Sequence, residues 1–194
     1  MFYHGSKISD IKELIPNYSL HNEKYVYLTT NKAVALIYTV NAIEKYYEDN
    51  NLEKPSFIHP WYSYGFNKNR LPVIEEYYLN ATKETYSGKS GYIYICDVPN
   101  EYSNPTNIYC AVVTKEKVKT VHEEYIEDVY EEILKYEKMG LLKIRYFKDN
   151  SEAFQKRIDD YIKDDIKKYK LLENTENNYY VFLKAKFPYI FKQK

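Results

Sequence analysis

The chain has 194 residues, and its 28 lysines and arginines balance 28 aspartates and glutamates to a formal net charge of zero. This balance excludes the strongly basic field of proteins that bind nucleic acids or anionic lipids through their overall charge. A hydrophobic fraction of 44% with 29% charged residues is typical of a folded globular protein and excludes extensive disorder. We therefore expect a single domain over residues 1–194.

The sequence predicts neither a membrane partner nor a metal site. The longest apolar run, near residues 33–40, is far shorter than the roughly 20 residues that a membrane-spanning helix needs. The four histidines lack the spacing of metal ligands. Cys96 and Cys110 lack C-x-x-C spacing, and we expect reduced thiols and a cytoplasmic location.

Turn residues and apolar periodicity divide the first half of the chain into short elements. Thr30 or Asn31 is a candidate N-cap for the first helix. In chain order we expect a strand at residues 2–4, a strand at 25–28, a helix at 32–47, an irregular aromatic segment at 50–71 and a helix at 75–86.

Three residues mark boundaries in the second half. Gly91 opens the most regular strand pattern, Gly140 ends a helix that begins near Tyr125, and Ser151 is a candidate N-cap. The expected elements are strands at residues 91–96, 109–113 and 117–122, a helix from 125 to 140, a strand at 141–147, and C-terminal helices within about 150–190.

One combination of residues carries chemical information. His4-Gly5-Ser6 ends the first strand, Tyr27 lies in the second strand, and Tyr38 follows eleven residues later. Together they resemble the ADP-ribosyltransferase superfamily, in the His-Tyr-acid branch of poly(ADP-ribose) polymerases, diphtheria-type toxins and rifampin-modifying enzymes. The resemblance covers residues 1–40, and residues 91–147 in architecture only. It implies an α+β fold with a split β-sheet core, flanking helices and a C-terminal helical extension.

The resemblance also implies an activity, the transfer of ADP-ribose from NAD with release of nicotinamide. The acceptor stays open between a protein, a nucleic acid and a small molecule. By resemblance, His4 would bind the adenosine-side ribose, while Gly5 and Ser6 would hold the carboxamide of nicotinamide. Tyr27 and Tyr38 would sandwich the nicotinamide ring.

The sequence leaves the catalytic acid open. Cleavage of NAD develops positive charge on the ribose, which a nearby carboxylate stabilises. Glu124 resembles the acid of the polymerases' Glu-Tyr-Ile strand, so the candidate catalytic residues are Glu124, His4 and Tyr27. In the rifampin-modifying group the acid lies in a loop, where Glu101 and then Asp97 are the candidates in this chain. The alternative to a catalytic role is that Glu124 is a solvated residue near the start of an acidic helix.

Two further hypotheses compete with an active enzyme. In the first, the chain is an inactive relative that binds NAD or ADP-ribose as a sensor. In the second, it is an interaction protein on the same fold. We also expect the aromatic insertion at about residues 48–90 to border the site and shape the acceptor position, with packing as the alternative role. Its aromatic residues include Trp61, Tyr62, Tyr64 and Phe66.

Overall fold

The computed structural model describes residues 1–18, 23–41, 44–53, 62–105 and 108–192. They form a seven-stranded antiparallel sheet, a three-stranded sheet and several helices, an architecture compatible with the α+β class. The split-sheet core of the ADP-ribosyltransferase fold stays a prediction. The chain divides into two compact units, Met1–Asn41 with Phe66–Pro72 and Tyr86–Lys143, and Ala42–Gly65 with Val73–Thr85 and Ile144–Lys194. A single domain stays a prediction, because compactness alone does not show whether the two units fold independently.

Strands and short helices are interspersed along the chain. The strands are β1 (Phe2–Ser6), β2 (Glu13–Leu14), β3 (Asn17–Tyr18), β4 (Lys24–Thr29), β5 (Tyr62–Phe66), β6 (Pro72–Glu76), β7 (Gly91–Cys96), β8 (Ala111–Thr114), β9 (Val118–Ile126) and β10 (Lys143–Arg145). The helices are α1 (Lys32–Ile37), α2 (Glu44–Asp49), α3 (Ala81–Tyr86), α4 (Val129–Lys138), α5 (Glu152–Lys168) and α6 (Asn178–Lys186), with short 3-10 turns at Phe147–Asp149 and Ile190–Lys192.

The first unit is built on a sheet with the strand order β2-β9-β7-β1-β4-β3, in which β8 also pairs with β4. Side chains alternate between the two faces of such a sheet. We call one face the cluster face, because its buried residues form an apolar cluster, and the other the helix face, because α1 packs on it. The cluster contains Phe2, Leu14, Val26, Leu28, Tyr94, Cys96, Val112 and Val118.

The second unit contains most of the three-stranded sheet β10-β6-β5 and a largely aromatic core. A buried carboxylate in this unit hydrogen-bonds to two separate segments of the chain. Glu76 is 2% exposed, and its two oxygens accept the amides of Thr82 at 3.0 Å and Phe147 at 3.1 Å. The core contains Tyr47, Tyr78, Ala81, Ile158, Ile162, Leu171, Tyr179, Tyr180, Phe182, Leu183, Phe187 and Ile190.

The helix predicted over residues 32–47 is wrong in its length. Asn31 caps it as expected, with its side chain accepting the Ala33 amide at 2.9 Å. The helix ends after Ile37, where Tyr38 takes the C-cap position. The Thr39 hydroxyl donates to the Leu36 carbonyl at 2.7 Å, which gives that carbonyl a side-chain partner at the end of the helix.

Two other predicted boundaries differ from the structure. The region predicted as one helix over 75–86 begins as a strand, and Asn80, with φ of 63°, separates it from α3. The helix expected from Tyr125 starts at Val129 instead, because Asp128 caps it through the amides of Tyr130 and Glu131. Gly140 with φ of 73° and the cap at Ser151 agree with the sequence.

Candidate functional site

The sequence-predicted site begins where β1 and β4 separate. The described residues of these two strands share one registered pair, Tyr3 with Thr29, whereas β1 pairs with β7 along its whole length. Beyond that pair the His4 ring bridges the two strands, with its Nδ1 2.9 Å from the carbonyl oxygen of Tyr27. The strands that carry His4-Gly5-Ser6 and Tyr27 are therefore neighbours joined through a side chain.

Gly5 and Tyr27 lie side by side on the helix face. Both alternate with cluster residues on their strands, so their Cα substituents point toward α1. A Cβ on Gly5 would overlap the Ala35 carbonyl oxygen and lie 3.0 Å from the Thr39 amide nitrogen. The end of α1 therefore passes directly over Gly5, and only glycine permits this approach.

Tyr38 stands at that same end of α1. As the C-cap residue it immediately precedes Thr39, and its side chain is 54% exposed. Tyr27 is half-buried, with the Tyr25 ring edge-on at 6.2 Å between centroids. The structure thus brings Gly5, Tyr27 and the backbone of Tyr38 into one neighbourhood.

His4 is held in its neutral form. Burial lowers the pKa of His4, and the hydrogen bond to the Tyr27 carbonyl opposes part of that shift. Because a carbonyl only accepts, Nδ1 carries the hydrogen and Nε2 is the acceptor nitrogen of the neutral ring. The ring can therefore accept a hydrogen bond from a hydroxyl group at Nε2.

Ser6 has a local role in the structure. Its hydroxyl oxygen accepts the Ile8 amide at 3.1 Å, which is a turn-forming bond. The contact of this hydroxyl to a carboxamide stays a prediction.

Glu124 shares the helix face with Gly5. The register aligns Gly5 with Ile93 and Ile93 with Glu124. Glu124 forms an ion pair with Lys32 at 2.5 Å. Burial opposes the charge of Lys32, but hydrogen bonding to Glu124 and the neighbouring Tyr136 raises the pKa of Lys32 overall.

The structure does not place Glu124 beside Tyr27. Their strands are separated by β1 and β7, which amounts to about 14 Å at a spacing of about 4.8 Å per strand. Helix α1 contacts both intervening strands, β1 and β7, and also β4. The role of Glu124 as the acid stays a prediction.

The alternative acids Glu101 and Asp97 follow β7. Glu101 is exposed, and its carbonyl accepts the Thr114 hydroxyl at 2.6 Å. Thr114 belongs to β8, which pairs directly with the Tyr27 strand. Asp97 is also exposed and donates its amide to Lys119 of β9. Counted in strands, Glu101 is the nearer of the two to Tyr27.

Sequence analysis missed the carboxylate on the same face as His4. The register aligns His4 with Tyr94 and Tyr94 with Glu123, so these three residues form one row on the cluster face. The Tyr94 hydroxyl lies 2.6 Å from the Glu123 carboxylate. Alternation along residues 122–126 places Glu123 and Glu124 on opposite faces of the sheet. Their cross-strand neighbours follow only from the strand register, which the sequence does not show.

Part of the aromatic insertion belongs to the first unit. The Arg70 guanidinium donates to the Tyr109 hydroxyl at 3.1 Å and lies 4.5 Å from the centre of that ring. Phe66 meets the same ring edge-on at 5.6 Å. Trp61, the residue that prompted the acceptor hypothesis, lies outside the described residues, so that hypothesis stays a prediction.

A separate cavity of about 260 Å³ lies in the second unit. Its charged side chains are paired, Lys45 with Asp49 and Lys186 with Glu84. The Lys186 ammonium also lies 5.0 Å from the Tyr46 ring centre. This cavity contains none of the predicted catalytic or NAD-binding residues, although five of its eight lining residues belong to the insertion at about residues 48–90. Its lining is Lys45, Tyr46, Asp49, Asn50, Tyr78, Glu84, Thr85 and Lys186.

No protein-family model, curated protein or solved structure matches this chain. Among the described residues, helices that combine the length and the apolar character needed to cross a membrane are absent. The same residues contain no cluster of three or more histidine, cysteine, aspartate or glutamate side chains placed to hold a metal ion.

Proposed function

We propose that this chain is a NAD-dependent ADP-ribosyltransferase. The observation that carries the proposal is the meeting of Gly5, Tyr27 and the end of α1 beside the point where β1 and β4 separate. This arrangement places Tyr27 and the C-cap residue Tyr38 near the edge of β1 at Gly5, which is not registered with β4 among the described residues. The resemblance of the His-Gly-Ser strand and the spaced tyrosines supports the same function.

In this proposal the nicotinamide ring lies between Tyr27 and Tyr38. Aromatic rings stack favourably on the faces of such side chains. The nicotinamide carboxamide bonds to the edge of the Gly5 backbone that faces β4, because α1 covers the helix face of Gly5. The neutral His4 ring accepts a hydroxyl of the adenosine-side ribose at Nε2. Holding both halves of NAD restricts rotation about the bond that breaks.

The reaction breaks the bond between ribose C1′ and the nicotinamide nitrogen, and the bonding electron pair leaves with nicotinamide. The acceptor, a protein, nucleic acid or small molecule, forms the new bond at C1′ and loses its proton to a carboxylate. Negative charge near the ribose lowers the barrier by stabilising the cationic sugar. Glu124 and Glu101 are the two proposed acids, with Asp97 next.

Release of nicotinamide from NAD, with transfer of labelled ADP-ribose to cell-extract acceptors, tests the proposal. The expected result is release that stops in a Tyr27→Ala variant and in a Tyr38→Ala variant. Tyr161→Ala is the matched control, since Tyr161 is an exposed tyrosine of α5 that we place outside the site. Absence of release and of transfer by the wild-type chain contradicts an active enzyme.

A second candidate is an inactive sensor that binds NAD or ADP-ribose. The Lys32–Glu124 ion pair favours it, because Lys32 neutralises the carboxylate that the resemblance assigns to catalysis. The strand separation of Glu124 from Tyr27 favours it as well. NAD binding without release of nicotinamide identifies the sensor, whereas release identifies the transferase.

A further inference from the structure

The hydroxyl group of Tyr94 is a buried point of attachment for an exposed segment. Tyr94 is 0% exposed, yet its hydroxyl oxygen lies 2.7 Å from the Ile8 carbonyl oxygen and accepts the Ile11 amide at 3.3 Å. Burial and the adjacent Glu123 carboxylate raise the pKa of Tyr94. The Tyr94 hydroxyl therefore keeps its proton and bonds to the backbone of residues 7–12 from the buried side of that segment.

Glu123 completes this attachment. The carboxylate oxygen that lies 2.6 Å from the Tyr94 hydroxyl also accepts the Asp10 amide at 2.7 Å. Asp10 has φ of 57°, a left-handed conformation that non-glycine residues adopt at a cost. The side chains of residues 7–10 are exposed, so backbone bonds hold the segment. Tyr94 and Glu123 supply its central bonds, and Ser6 and Thr120 bond to its two ends.

The attached segment begins directly after His4-Gly5-Ser6. His4, Tyr94 and Glu123 form one cross-strand row on the cluster face. Residues 7–12 therefore fold back over the face toward which the His4 side chain projects. Gly5 and Tyr27 lie on the opposite face, so the segment borders the His4 half of the site and not the Tyr27 half.

We propose that Tyr94 and Glu123 are positioning residues that hold residues 7–12 as a wall around the adenosine half of NAD. This inference rests on the proposed function, in which His4 contacts the adenosine-side ribose. The pair then sets the affinity for NAD without touching the bond that breaks. Loosening the segment weakens binding of the adenosine half and leaves the nicotinamide half unaffected.

The test compares NAD with nicotinamide mononucleotide, which lacks the adenosine half. Tyr94→Phe removes the hydroxyl and keeps the ring, and Glu123→Gln removes the charge. We expect each variant to raise KM for NAD about five- to tenfold, the size of a lost hydrogen bond, with kcat within about twofold. The kcat/KM for nicotinamide mononucleotide stays unchanged.

Tyr92→Phe is the matched control, since Tyr92 lies on the same strand and face, and it should leave all constants unchanged. Equal losses for both substrates, or no change in KM for NAD, would overturn the inference. Hydrogen exchange adds a check independent of activity, because the Ile11 amide loses its acceptor in Tyr94→Phe and must therefore lose protection. A wild-type chain that neither binds nor cleaves NAD instead refutes the proposed function.

Discussion

The imidazole of His4 donates from Nδ1 to the carbonyl oxygen of Tyr27 over 2.9 Å, two residues beyond the pair at which the β1–β4 ladder ends. A side chain thus continues the contact between two strands after their backbones part. The bond fixes the tautomer of His4 and links β1 to β4 beside Gly5.

The buried position of His4 predicts a specific pH dependence of stability. Burial lowers the pKa of His4 below its ordinary value of 6.5, so the unfolded chain binds the proton more readily than the folded chain. The stabilising contribution is therefore complete above pH 6.5 and is lost as pH falls through the folded pKa. Melting temperatures from pH 8 to pH 5 should fall more for the wild type than for His4→Gln, which keeps a neutral donor. Parallel curves would show that His4 does not titrate between the two states.

Gly5 permits the close approach of α1, so a methyl group there should be destabilising. Gly5→Ala places its Cβ against the Ala35 carbonyl oxygen, and we expect a loss of at least about 2 kcal/mol in the free energy of unfolding. Gly65→Ala is the matched control, because a Cβ there meets no atom within 4 Å among the described residues. Chemical denaturation measures the free energy of unfolding of both variants. A Gly5→Ala variant about as stable as the wild type would contradict the close contact.

Variants of Glu124 and Lys32 separate a catalytic role of the Glu124 carboxylate from the contribution of the ion pair to stability. The two side chains are 36% and 35% exposed, so loss of the pair should cost no more than about 1 kcal/mol. If Glu124 is the acid, Glu124→Gln keeps NAD affinity but lowers kcat by orders of magnitude. Lys32→Met removes the pair and keeps the carboxylate, so it should retain turnover. Glu101→Gln, measured in parallel, assigns the acid to the loop if it is the variant that loses turnover.

Glu76 should be a strong determinant of stability in the second unit. Its carboxylate accepts two amides while almost fully buried, and its removal leaves those donors unsatisfied. We expect Glu76→Ala to cost about 3 kcal/mol in the free energy of unfolding, measured by urea denaturation. Glu173→Ala, at an exposed position, should change stability by less than about 0.5 kcal/mol.

Local signals in the sequence predicted the elements with clear turn chemistry. The strands around Phe2, Tyr27 and Ile93 and the caps at Asn31 and Ser151 follow from alternation and capping residues, and the structure confirms them. These features depend on neighbours within a few residues, which a single sequence contains.

Long-range pairing accounts for what the sequence did not predict. The helix predicted over 32–47 stops at Ile37, and Thr39 then packs against Gly5 and Gly91, a contact between distant segments. Tyr125 and Ile126, predicted to begin a helix, pair with β7 instead. The separation of Glu124 from Tyr27, and the row that joins His4 to Glu123, depend on strand order and register, which no local pattern encodes.

Calorimetric titration of NAD into the purified chain tests the central claim most directly. We predict saturable binding with a Kd below about 1 mM, in the range of ordinary enzyme substrates, and a loss of at least about tenfold in affinity for both His4→Ala and Tyr27→Ala. Tyr161→Ala, which replaces an exposed tyrosine of α5, should bind NAD like the wild type. Absence of NAD binding by the folded wild-type chain, or binding that both site variants retain in full, would contradict the account.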